Sequence, residues 1–145
     1  MKHVQIASDH ERTHVLVFDT GEEAVAGLLQ FARDRRIASA HLSAIGAFSA
    51  ATLGFFDWSR KDYRRIRVDE QVEVLSLAGN LARDADDQVK LHAHVVVGKS
   101  DGTAHGGHLL DAHVRPTLEV VVTEAPAPLR RRVRPDLGVA LLDLS

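Results

Sequence analysis

The 145 residues include no cysteine, which excludes disulfides, thiolate metal sites and a cysteine nucleophile together. Any transition metal would have to be held by histidines and carboxylates. Aromatic residues are scarce at 5%, with one Trp and one Tyr, so there is no row of rings on which single-stranded bases could stack. A surplus of positive charge is missing as well. Eighteen Lys and Arg against 20 Asp and Glu leave a net charge of -2, and no overall positive field exists to hold a polyanion. The apolar runs fall far short of the ~18 residues needed to span a bilayer, and the start, Met-Lys-His-Val-Gln-Ile-Ala-Ser-Asp-His, lacks the apolar core of a secretion signal. A cytoplasmic protein without a membrane partner is expected.

What the chain does contain is the composition of an ordinary globular protein, 45% hydrophobic and 26% charged. Its length suits one domain, residues 1–145, burying roughly 70% of the unfolded surface. Residues 14–19 alternate around Val15, Val17 and Phe18 as a strand. Helical spacing follows, with Ala24, Val25, Leu28, Leu29 and Ala32 on one stripe. Thr20 is placed to cap this helix, with Glu23 reaching back, and Arg33, Arg35 and Arg36 fall at its C-terminal end, where the dipole favours cations. Thereafter the pattern is strand after strand: 40–47, 51–58, 63–68, 72–81, 89–98, 103–112, 118–124 and 139–144. The fold class is α+β, with a mostly antiparallel sheet and one main helix. Residues 125–135 hold three of the four prolines and four arginines and read as a surface connection with room for one helical turn.

Nine histidines are the unusual feature. Within the strand Val89-Lys90-Leu91-His92-Ala93-His94-Val95-Val96-Val97, period-two alternation places His92 and His94 on one face. The next strand carries His105-Gly106-Gly107-His108, and hairpin register decides which of its histidines joins them. A three-residue loop Ser100-Asp101-Gly102 with Gly102 left-handed pairs Lys99 with Thr103 and sets His94 directly opposite His108. Cβ atoms so opposed lie about 5 Å apart, close enough for imidazoles to converge on one ion. A two-residue Asp101-Gly102 turn would instead place His105 opposite Gly98, about 13 Å along the strand from His94. The geometry therefore selects His92, His94 and His108 and leaves His105 at the rim, with Gly106 and Gly107 allowing close approach to an ion or its ligand. Three neutral imidazoles without a fourth side chain suit zinc, nickel, copper or iron and leave a position open for water.

The series Gly21-Glu22-Glu23, Ser43-Ala44-Ile45-Gly46-Ala47, Glu73-Val74-Leu75-Ser76-Leu77-Ala78-Gly79-Asn80, Leu91-His92-Ala93-His94, Gly106-Gly107-His108-Leu109 and Pro116-Thr117-Leu118-Glu119-Val120 resembles the plants and prokaryotes conserved (PPC) domain over nearly the whole chain. The resemblance implies an α+β homotrimer with a zinc site on His92, His94 and His108. In plants this domain follows AT-hook DNA-binding motifs, and stand-alone prokaryotic members are commonly labelled DNA-binding. The AT-hook core is Arg-Gly-Arg-Pro, whereas this chain has Arg132-Val133-Arg134-Pro135, with a branched residue where the minor groove tolerates glycine. Arg130, Arg131, Arg132 and Arg134 are read as a solvated basic patch or a trimer contact.

Glu73 is expected to share its strand face with Leu75 and Leu77, and Glu119 with Val121. A carboxylate in apolar company is either a structural partner, bonded to Thr117, Ser76, Asn80 or an imidazole, or a group suited to acid-base work. For a catalytic site Glu73 is the first candidate base and Glu119 the second. Three functions are open to such a chain: a regulatory module of the DNA-binding kind, a metal-dependent enzyme acting on a small substrate, and a trimeric sensor whose small-molecule ligand completes the metal shell.

Overall fold

The computed structural model describes residues 1–7 and 12–144. In chain order the elements are β1 (Lys2–Ala7), β2 (Arg12–Asp19), α1 (Ala24–Asp34), β3 (Ala40–Asp57), β4 (Asp62–Val68), β5 (Val72–Arg83), β6 (Val89–Gly98), β7 (Ala104–Glu124), β8 (Arg130–Arg134) and β9 (Val139–Asp143). The nine strands form one sheet, antiparallel except for a single parallel contact between β5 and β8. β3 pairs with both β5 and β7, and β6 pairs with the same two strands. These four strands thus close a circuit, which removes two exposed edges. No helix among the described residues is long and apolar enough to cross a membrane.

The α+β expectation holds, with four differences of detail. Residues 40–47 and 51–58 belong to one strand, β3, and residues 103–112 and 118–124 to another, β7. Register shifts where β3 meets β7 bend both strands without breaking them. The Pro- and Arg-rich connection contains β8, which pairs with β9 from Arg130↔Asp143 to Arg134↔Val139. An N-terminal strand, β1, pairs with β2. Helix α1 is capped by Glu23, whose carboxylate accepts from the amides of Val25 and Ala26 and also from Ala112 on β7 at 3.0 Å. Thr20 instead donates to the Pro116 carbonyl at 2.9 Å, so the helix start is fixed by a residue that simultaneously ties it to the sheet.

The core takes the alternate residues of each strand together with the buried stripe Ala24, Leu28, Phe31 and Ala32 of α1. Phe18, Phe48, Leu42, Leu53, Leu81 and Leu118 are fully enclosed, and each contributes about 1.5–3 kcal/mol by leaving water. A bulge in β5 interrupts the alternation. Val74 pairs with Val97 but Ser76 with Val96, so Leu75 is the extra residue. It leaves Leu75 55% exposed while Leu77 is 1% exposed. Glu73, Leu75 and Leu77 therefore do not share a face: Glu73 and Leu75 point outward and Leu77 lies in the core.

Candidate metal centre

The β6–β7 turn sets the site. Lys99 N donates to Thr103 O at 2.8 Å and Gly102 N to Lys99 O at 3.0 Å. Gly102 has φ +80°, a left-handed conformation that glycine adopts at no steric cost. The Asp101 carboxylate clasps the loop by accepting from Thr103 N and Thr103 Oγ1. This three-residue loop gives the register His94↔His108. Buried Ala93, Val95 and Val97 alternate with His92, His94 and Val96 along β6, so the histidines stand on the face turned away from the core.

His92, His94 and His108 each offer a ring nitrogen, and these atoms all lie within 4.8 Å of one another. The ring centroids are 5.1, 5.1 and 5.6 Å apart. Tyr63 of β4 stacks on His108 at 4.7 Å and 29°, forming one wall. Burial, reinforced by the neighbouring imidazoles and Arg131, pushes His108 down to about 4. Burial likewise lowers His92, with Arg131 and then His94 adding to the effect. Both rings are therefore neutral at physiological pH, the form in which imidazole donates a lone pair to a metal.

The buried Nδ1 of His108 has no hydrogen-bond partner. His14 shows the contrast: one ring nitrogen bonds the Glu124 carboxylate at 2.8 Å and the other bonds His3 at 2.9 Å. A buried imidazole serving structure is satisfied, as at His14, whereas His108 keeps a nitrogen in reserve. That unpartnered atom and three converging imidazole nitrogens fit a zinc-like ion.

Sequence reasoning missed Arg131. It is 7% exposed, donates from Nη2 to Asn80 Oδ1 at 2.7 Å and from Nη1 to Ala140 O at 3.3 Å, and its Nη2 lies 3.1 Å from His92 Nδ1. Read as a strand, the run has one visible signal: alternation separates Arg131 from Arg130, Arg132 and Arg134. Those three are exposed and each pairs with a carboxylate, Arg130 with Asp87 at 3.2 Å, Arg132 with Asp143 at 2.7 Å and Arg134 with Asp136 at 3.1 Å.

The structure does not bring the two candidate bases to the histidines. Glu73 pairs with Gly98, four residues and about 13 Å along β6 from His94. Glu119 lies between Val17 and Ile45. Of the partners expected for them, Asn80 is engaged by Arg131 and Thr117 donates to Phe18 O. His105 lies opposite Val97 and three residues before His108, hence on the other face. The missing side chain of Gly107 makes room for the Gly54 carbonyl, 2.8 Å from where a Cβ would lie, rather than for an ion.

A model of the Plants and Prokaryotes Conserved (PCC) domain matches residues 5–126. Among solved structures, one from Bacteroides thetaiotaomicron, named "putative DNA binding protein", is 32% identical. It superposes with a TM-score of 0.86 over 97% of this chain and 96% of that one. A metal-containing protein from Archaeoglobus fulgidus is 34% identical, with a TM-score of 0.83 over 90% of this chain and 91% of that one. The bifunctional protein GlmU of a Synechococcus strain is 30% identical over 134 residues, 92% of this chain. The chain spans only 20% of that relative's length.

Proposed function

The chain belongs to the Plants and Prokaryotes Conserved (PCC) domain family, and from that premise we propose that it is a metal-dependent regulatory module whose centre binds a small ligand. His92, His94 and His108 hold the ion, which we take to be zinc. The observation that carries this reading is the convergence of three imidazoles with no Asp or Glu joining them among the described residues. Three protein ligands leave a coordination position open to a ligand, where a fully structural site would be closed by a fourth. The metal-containing relative from Archaeoglobus fulgidus supports it. When bound, the metal would act as a Lewis acid toward whatever fills that position. The enzymatic alternative draws no support from the two candidate bases, since neither Glu73 nor Glu119 is near the histidines.

We further propose a homotrimer. Ile45, Leu75, Val96 and Val121 are 60, 55, 42 and 41% exposed on the sheet face away from the core, an apolar surface that a second copy would cover. DNA contact by this chain alone is the weaker reading, because the exposed arginines of β8 already have carboxylate partners. Protein purified without added metal, assayed for metal content and for mass by light scattering, tests the proposal. About one metal ion per chain and a trimer mass are expected. A metal-free protein that takes up no zinc on reconstitution would sink the metal reading, and a monomer at micromolar concentration the trimer.

A further inference from the structure

Arg131 is a cation without a counter-ion beside the histidine cluster. The atoms its Nη groups meet, Asn80 Oδ1, His92 Nδ1 and Ala140 O, carry no formal negative charge. Its Nε is buried and has no hydrogen-bond partner. The neighbours Arg130, Arg132 and Arg134, which water could solvate, each have a carboxylate, whereas the one buried arginine of β8 has none among the described residues. A buried guanidinium left in this state is costly unless an anion arrives.

The geometry says which anion and where. Nε and Nη2 form one edge of the planar guanidinium, and two parallel N–H groups match the two oxygens of a carboxylate. Nη2 lies 3.1 Å from His92 Nδ1, so this edge borders the three-histidine cluster. Once His92 gives its Nε2 lone pair to a metal, Nδ1 carries the ring proton and no longer accepts from Nη2, which leaves that N–H for an anion. An ion bound by neutral imidazoles would place a second positive charge beside Arg131, and the two repel unless an anion lies between them. No Asp or Glu of the described chain supplies it. We propose that the centre binds a small carboxylate from solution, shared between the metal and the Nε–Nη2 edge of Arg131. This rests on the metal reading above and names the ligand class that reading leaves open. A lone arginine edge offers two donors, which suits a planar monoanion better than a tetrahedral phosphate with more oxygens to satisfy.

The test uses zinc-loaded protein, with metal content measured first in the parent and in Arg131→Gln and Arg131→Lys. Failure of the parent to take up zinc would remove the metal reading and this inference together. Once zinc is bound, the remaining outcomes bear on Arg131 alone. Glycolate, neutral glycolamide and inorganic phosphate are titrated calorimetrically. Glycolate is expected to bind the parent about tenfold or more tightly than Arg131→Gln, with Arg131→Lys between them. Glycolamide should not distinguish parent from variant. No glycolate binding to the parent, equal affinity in parent and Arg131→Gln, or tighter, Arg131-dependent phosphate binding would each overturn the proposal. Because Arg131 also ties β8 to Asn80 and Ala140, a readout independent of the variants' folding is taken from the parent itself. Its Arg131 Nε proton–nitrogen correlation signal should move downfield as glycolate is added. A signal unmoved at saturating glycolate overturns the proposal however the variants behave.

Discussion

His94 and His108 stand directly opposite one another across the β6–β7 ladder, and their ring centroids lie 5.6 Å apart. The pairing comes from the three-residue loop between the strands, since a change of one residue in that turn would carry His108 to the other face. His92, two residues from His94 on the same strand face, completes the set.

Removing one of these ligands should therefore abolish stoichiometric metal binding. In His94→Ala or His108→Ala, zinc affinity is expected to fall by more than the roughly 10- to 100-fold that loss of a supporting residue costs. His105→Ala, altered on the opposite face, should keep the parent's metal content. Metal analysis after dialysis against a weak chelator reads both. Full retention in His94→Ala would refute the ligand assignment, and loss in His105→Ala would refute the register as the reason for it.

The metal-free protein should lose stability in a defined acid window. Burial holds His108 at about 4 in the fold, below the ordinary 6.5 that it regains on unfolding. Between these values the unfolded chain binds a proton that the folded chain does not, so acid favours unfolding. The stabilisation is complete above pH 6.5, declines as pH falls toward about 4 and levels off below. His92, also lowered by burial, adds in the same direction. Urea midpoints of metal-stripped protein between pH 7.5 and 4.5 measure the slope, and His108→Gln should flatten it. An unchanged slope in that variant would assign the acid sensitivity elsewhere.

The β5 bulge separates two leucines that alternation alone would put on one face. Leu77, 1% exposed, should cost about 2–5 kcal/mol when replaced by Ala. Leu75, 55% exposed, should leave the stability of the single chain within about 0.5 kcal/mol, while Leu75→Glu should lower the assembly mass. Denaturant curves and light scattering on the three proteins check this. Equal destabilisation by Leu75→Ala and Leu77→Ala would mean that the bulge is not where the register places it.

Legibility in the sequence depended on range. The hairpin was readable because its turn chemistry, alternation and spacing all act within twenty residues, from Val89 to His108. The helix was readable for the same reason, though its cap was not. Thr20 and Glu23 both have capping chemistry, and the choice was made by a contact with Ala112, far along the chain. Leu77 was placed on the face of Glu73 and Leu75 because a bulge leaves no local mark in the sequence. Arg131 was missed because its environment comes from β5, β6 and β9, and a run of arginines ordinarily faces water.

Duplex DNA gives the last expectation. The arginines that would form a phosphate contact surface, Arg130, Arg132 and Arg134, are paired with Asp87, Asp143 and Asp136, and Arg131 is turned inward. Each phosphate bound by one of the three would have to displace a carboxylate already in place, leaving that carboxylate to repel the duplex. With a net charge of -2 on the chain, affinity should stay at the non-specific level of roughly 10⁻⁴ to 10⁻⁶ M at physiological salt. A contact contributes about 0.9 to the slope of log affinity against log salt, and the paired arginines should give less than the full value each. Replacing all three by serine should therefore change affinity only slightly, because three carboxylates are released along with three cations. A fluorescence titration across salt concentrations measures both quantities. Nanomolar, sequence-selective binding by the isolated protein would show that another surface reads DNA and that the ion pairs of β8 are beside the point.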